Sequence, residues 1–176
     1  TRNLMNNTEA LPRVRRQTSE GDLLIELYSE QSPKTVANFL QYVESGHYEG
    51  TVFHRVIEGF MIQGGGYDES FKERPAREPI ENESRNGVSN SRSTLSMART
   101  ADPHSATSQF FINLSNNDFL NHTNESPSGF GYAVFGEVIE GMDIVDIIAA
   151  VATGTVGGLG DVPTDTVVIN SVRRVE

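Results

Sequence analysis

The sequence predicts a mainly β fold, about eight strands closed on themselves as a barrel with only two helices. Three observations carry this. Apolar residues alternate with polar ones over short runs, as at Leu23, Ile25 and Leu27, which is the period of a strand with one buried face. Turn formers are abundant, with 16 Gly and 7 Pro in 176 residues, as many short strands require. Only two stretches show the 3.6-residue period of a helix. Closing the sheet removes its edges, and eight strands leave an interior that side chains can fill. Any binding site on such a barrel would lie on its outer wall, not down its middle.

The elements follow in order. Residues 1–12 are Asn-rich and aperiodic and read as a flexible leader; residues 13–176 read as one domain, long enough to bury a core. Val14 to Thr18 and Leu23 to Tyr28 read as strands joined by the turn Ser19-Glu20-Gly21-Asp22. A helix follows: Ser32 is expected as its N-cap, Pro33 suits the first helical position, and Val36, Phe39, Leu40 and Val43 form one face. Gly46 can end it in the left-handed conformation. Thr51 to Ile57 and Phe60 to Gly64 read as strands broken at Gly59, followed by a long polar loop over 67–93. Thr94 to Ala98, Gln109 to Leu114 and Ala133 to Ile139 are further strands, with a loop from Asn116 to Gly131. Glu140 to Ala152 reads as the second helix, with Glu140, Asp143 and Asp146 towards water. A Gly-rich turn at 157–160 precedes a last strand, Val167 to Val175.

Composition excludes several functions. The net charge of −10 repels phosphate backbones and anionic lipid, so neither nucleic acid nor a membrane surface is expected as partner. The absence of cysteine removes disulfides, thiolate nucleophiles and Cys-based metal sites. No apolar run approaches the ~18 residues of a membrane helix. No signal-peptide core is visible, although a cleaved signal leaves the same appearance.

The chemistry-bearing residues narrow the choice. A hydrolytic triad lacks its G-x-S-x-G elbow, and His54 beside Arg55 is a poor base because a neighbouring cation disfavours imidazolium. His47, His54, His104 and His122 show no i, i+4 pairing, so no metal site is expected. Gly64-Gly65-Gly66 lacks the G-K-[ST] of a phosphate loop and reads as a strand end. Arg55 is different. Flanked by Phe53, Val56 and Ile57, it sits in a strand expected to be mostly covered, where a guanidinium needs partners. Glu58 or Glu83 would give it a purely structural role. Alternation puts Met61 and Gln63 on one face of their strand and Gln109 and Phe111 on one face of another; sequence leaves open whether those faces meet.

At these residues the chain resembles a cyclophilin-type peptidyl-prolyl cis–trans isomerase, from about Val14 to Val175. The resemblance is carried by Phe53-His54-Arg55-Val56-Ile57, Gly59-Phe60-Met61-Ile62-Gln63-Gly64-Gly65, Ser96-Met97-Ala98-Arg99, Ser108-Gln109-Phe110-Phe111-Ile112 and Gly131-Tyr132-Ala133-Val134-Phe135-Gly136. It is nearest the bacterial branch and, within it, the exported form, which implies the periplasm, with the cytoplasm as the alternative. The resemblance implies an eight-stranded antiparallel barrel capped by two helices and rotation about X–Pro bonds in folding proteins. It implies a catalytic Arg55, with Gln63 holding a substrate carbonyl. Phe60, Met61, Phe111 and Leu120 would line a proline pocket, Ala98, Arg99 and Gln109 the groove, and His54, Phe119 and Tyr132 its border. Arg99 stands where better-known eukaryotic members carry Asn, Phe119 where they carry Trp, and Tyr132 near a His; Ser93 replaces a commoner Gly. Phe119 lacks the indole donor, so weak cyclosporin binding is expected. No cofactor or metal is implied, the partners are proline-containing peptides and unfolded or folding clients, and a monomer is expected. The rival readings are a proline-peptide binding module or chaperone without turnover, and a hydrolase.

Overall fold

The computed structural model describes residues 13–18, 20–156 and 158–175, so the expected leader lies outside the described residues. It is mainly β with two helices. Strands β1 (Arg13–Thr18) and β2 (Gly21–Leu27) form the first hairpin, in the register Arg13↔Glu26 to Thr18↔Gly21. Leu23, Ile25 and Leu27 are wholly buried, as their alternation predicts.

Helix α1 (Pro33–Glu44) begins with Pro33 at its first position, but Ser32 does not cap it. The Ser32 hydroxyl donates instead to the Val134 carbonyl at 2.7 Å. The free amides of Lys34 and Thr35 donate to the Glu83 carboxylate, at 3.3 and 2.8 Å. A full negative charge suits the positive end of a helix better than a hydroxyl does. Glu83 arrives from a loop 48 residues away from Thr35, so local sequence carried no sign of it. At the other end Gly46 takes φ +76°. His47 N–H then reaches the Tyr42 carbonyl and Gly46 N–H that of Val43, a Schellman closure.

The chain continues through β3 (Thr51–Ile57), β4 (Met61–Asp68), β5 (Thr94–Met97), β6 (Phe110–Asn113) and β7 (Val134–Glu140). Then come α2 (Met142–Ala149), β8 (Thr153–Val156), β9 (Leu159–Pro163) and β10 (Val168–Val175). Antiparallel neighbours run β1-β10-β3-β4-β6-β5-β7-β2 and return to β1, a curled sheet that meets itself as a barrel. Its thinnest seam is β10 with β3, two residue pairs long. The sequence reading of about eight strands missed β8 and β9, which pair only with each other. Thr153, Thr155 and Val156 are exposed, so β8 has no buried face, and β9 buries only the adjacent Val162 and Pro163, so neither shows an alternating pattern. The end of β4 was also hidden, because its three glycines carry no strand preference.

Phe39 of α1 plugs the barrel, its ring 5.2 Å from Tyr48, 6.0 Å from Phe110 and 5.1 Å from Phe135. Helix α2 buries Val145, Ile148 and Ala149 and leaves Asp143 and Asp146 exposed.

Candidate active site

The β3–β4 hairpin decides where Arg55 points. Phe53 lies opposite Gly64 and Arg55 opposite Gln63, so β3 advances two residues while β4 advances one. That is a bulge at His54. In a regular strand Phe53 and Arg55 would share a face, and burying Phe53 would drag the guanidinium inward. With the bulge, Phe53 is buried and Arg55 is exposed. The expectation that Arg55 sits covered is corrected here. Its guanidinium has no hydrogen-bond or ion-pair partner among the described residues, and neither Glu58 nor Glu83 takes it.

His54 is not brought to the groove. It is 6% exposed, its ring lies 4.6 Å from that of Tyr67, and its Nδ1 has no hydrogen-bond partner among the described residues. Burial above all, then the Arg55 charge, push its pKa down to about 4, so it is neutral at neutral pH.

Arg55, Phe60, Met61, Gln63, Ala98, Arg99, Phe111, Leu120 and Tyr132 line one groove on the outer wall. The faces that sequence left apart do meet: β4 pairs with β6, and Gln63 lies directly opposite Phe111. Met61 and Phe111 are buried as the apolar floor. Gln63 Nε2 donates to Gln109 Oε1 at 3.0 Å, which orients its amide. Gln109 itself lines an adjoining hollow with Glu73, Arg74 and Pro75. It can lie there because residue 66 is Gly; a Cβ would come within 2.5 Å of the Gln109 side chain. Gly65, at φ +91°, likewise leaves no room for a side chain against Phe110 and Tyr48. The glycine triplet is therefore a strand on which other side chains rest.

Phe119 and Leu120 stand on a 3-10 turn, Asp118–Leu120. Phe119 is 72% exposed and stacks on Phe60 at 5.7 Å, at the rim. Tyr132 meets Phe111 edge-on at 5.6 Å. Arg99 lies over the Tyr132 ring at 4.5 Å and donates to three backbone carbonyls, so its cation is engaged inside the protein.

Sequence reasoning missed a buried row of asparagine amides beneath the groove. Asn117 Nδ2 donates to the Phe60 carbonyl and to Asn113 Oδ1, both at 2.9 Å. Asn113 Nδ2 reaches Asn90 Oδ1 at 3.3 Å, and Asn90 Nδ2 reaches Asn121 Oδ1 at 2.9 Å and the Tyr132 carbonyl at 3.3 Å. The row ties the β3–β4 turn to the opposite wall. Its only sequence sign is the density of Asn between 113 and 121, which fits surface turns equally well.

An apolar recess with one free cation and one oriented amide, whose lining holds no serine, threonine or histidine, can grip and polarise a peptide but offers no nucleophile. Among the described residues no group of three or more His, Cys, Asp or Glu could hold a metal ion, and no helix is long and apolar enough to cross a membrane. The site is thus that of a protein which handles a peptide without cutting it.

Comparison with known proteins gives the family. The profile of "Cyclophilin type peptidyl-prolyl cis-trans isomerase/CLD" matches residues 13–174, and the chain belongs to this family. A peptidyl-prolyl cis-trans isomerase of Streptomyces antibioticus is 55% identical over 91% of this chain and 96% of its own. Peptidyl-prolyl cis-trans isomerase B of Escherichia coli (strain K12) is 55% identical over 90% and 97%. A crystal structure of a Cryptosporidium parvum cyclophilin in the presence of the dipeptide Ala-Pro superposes with a TM-score of 0.76 at 30% identity, over 93% of this chain and 99% of that one. The activity of the family is acceleration of cis–trans exchange at proline.

Proposed function

We propose that the groove binds a proline-containing peptide and that Arg55 and Gln63 carry its catalysis of X–Pro rotation. A peptide C–N bond resists rotation by ~18–20 kcal/mol because resonance makes it partly double. The two X–Pro isomers differ by only ~0.5–1 kcal/mol, yet exchange takes tens of seconds or more, so the task is kinetic. In the twisted transition state the nitrogen lone pair is no longer delocalised and becomes an acceptor. A donor aimed at it binds the transition state better than either planar isomer. Arg55 suits this role because it is charged at every working pH and its planar fork is pre-organised. The recess of Phe60, Met61, Phe111 and Leu120 excludes water and anchors the ring, while Gln63, held by Gln109, restrains the carbonyl side.

The single observation that carries this reading is the free guanidinium of Arg55 on the wall of an apolar recess. Its test is Arg55→Ala with exchange on an Ala-Pro peptide followed by NMR. Loss of most turnover with the fold intact is expected, and near-normal rates would overturn the assignment. The same assay separates the isomerase from a holding module, which would bind without exchange.

The reading extends to partners. The recess is small and lined mostly by apolar side chains, which suits many proline-containing segments alike and supports broad assistance to folding clients. Phe119 at the rim lacks a donor, and this supports weak cyclosporin inhibition. Nanomolar inhibition of the unmodified protein in the turnover assay would contradict it.

A further inference from the structure

We infer that Arg99 is a positioning residue of the groove, which pins the wall from Leu120 to Tyr132 and does not meet substrate as a charge. The inference rests on the isomerase reading above. Arg99 stands two residues past β5, in the loop that leaves the barrel. Its Nε donates to the Gly131 carbonyl at 3.0 Å, its Nη2 to the Pro127 carbonyl at 3.0 Å, and its Nη1 to the Thr100 carbonyl at 2.8 Å. The first two acceptors belong to the segment between the 3-10 turn and β7, where residues 121–133 form neither helix nor strand.

That segment keeps its own shape through local bonds. Thr123 and Asn124 N–H both donate to the Gly129 carbonyl, and Phe130 N–H to that of Ser126. Residues 123–128 are exposed, while behind them Phe130 is buried, the Ser84 hydroxyl donates to its carbonyl and Asn82 Nδ2 donates to the Gly131 carbonyl at 3.0 Å. The ion pair from Arg85 to Glu125 is a surface contact, weak and screened by salt. Arg99 adds two more ties to the loop's backbone, and unlike Asn82 and Ser84 it makes them with the same group that packs on the Tyr132 ring.

The same guanidinium reaches the recess in two steps. Its central carbon lies 4.5 Å from the Tyr132 ring centroid, and that ring packs edge-on against Phe111 at 5.6 Å. Tyr132 N–H in turn donates to the Leu120 carbonyl at 2.9 Å, so Tyr132 and Leu120 shift together. Displacing Arg99 therefore removes the support behind the Tyr132 ring, which the Asn90 bond to the Tyr132 carbonyl does not replace, and leaves Arg55, on β3, where it is. A planar, delocalised cation can stack on a ring and fork to separate carbonyls together; a lysine ammonium cannot.

The experiment uses the full chain with Arg99→Ala, Arg99→Met and Arg99→Lys. Arg99→Met keeps the aliphatic stem, and so preserves a folded variant should Arg99→Ala not fold. Steady-state exchange is measured on three X–Pro peptides that differ only in carrying Glu, Ala or Lys beside the proline. Backbone hydrogen exchange is read in parallel. A positioning role predicts that KM rises about tenfold alike for all three peptides, while kcat changes by about twofold or less. Arg99→Lys recovers only part of this. Amide exchange should quicken about tenfold over 120–132 and stay unchanged over β3 and β4. A loss confined to the Glu peptide would show that Arg99 meets substrate by charge and would overturn the inference. An unchanged KM, or unchanged exchange over 120–132, would overturn it too. A wild-type protein that turns over none of the peptides would sink the isomerase reading instead, and the exchange measurement alone would then judge Arg99.

Discussion

Arg55 and Arg99 line the same groove, yet one guanidinium is free and the other is engaged by three backbone carbonyls. Arg55 leaves a strand at a bulge, above a neutral histidine, with no acceptor in reach among the described residues. Arg99 leaves a loop among carbonyls and an aromatic ring. The side chains are identical, and the acceptors around them decide what each can do. A cation without internal partners is available to a ligand, whereas one that spends three of its five N–H groups on carbonyls organises its surroundings. The two walls differ in the same way: β3 and β4 belong to the barrel, and the Leu120–Tyr132 wall is a loop held by side chains from other segments, Asn90 and Arg99 among them.

The contrast breaks most directly at Arg55. One preorganised donor of this kind is worth ~2.7–4 kcal/mol in the barrier, so Arg55→Ala should lower kcat by ~10²–10³. Because no internal partner is lost, thermal unfolding should match the wild type. A drop in melting temperature comparable to the loss of rate would mean that Arg55 is structural like Arg99. Turnover should also be flat with pH near neutrality, since no proton moves and the guanidinium stays charged.

His54 sharpens the same wall through stability. Its folded pKa of about 4 lies below the ordinary 6.5, so between these values the unfolded chain binds more protons. Its full contribution is therefore present above about pH 6.5 and is lost as pH falls towards 4, by about 3 kcal/mol across that window. Denaturant unfolding at several pH values should show this slope, and His54→Gln should flatten it. An equal slope in both proteins would place the acid sensitivity elsewhere.

A smaller effect is expected at Gln109. Gln109→Ala frees the Gln63 amide from its one side-chain partner, a net loss of ~0.5–1.5 kcal/mol. Peptide affinity should weaken about two- to tenfold, with kcat nearly kept. An unchanged affinity would show that Gln63 needs no support to restrain the substrate.

Much of this was legible in sequence because it is local. The alternation at Leu23, Ile25 and Leu27, the face at Val36, Phe39 and Val43, and the Gly46 stop each follow from the repeat of one element, and each is found as read. The apolar lining at Phe60, Met61 and Phe111 was legible as well, through motif resemblance. What failed was non-local. Glu83 capping α1 and the asparagine row under the groove join residues far apart in the chain, and the bulge that turns Arg55 outward is a register shift between paired strands that no residue pattern marks. The sequence by itself determined most of the segments that become strands and helices, which faces are apolar and which family the chain resembles, because these rest on short-range periods and motifs. Only the tertiary structure decided that His54 is buried away from the groove, that Arg55 is free and that Arg99 is bound. Availability of a charged group depends on which acceptors the fold brings within 3 Å or so of it, and register and loop closure set that distance.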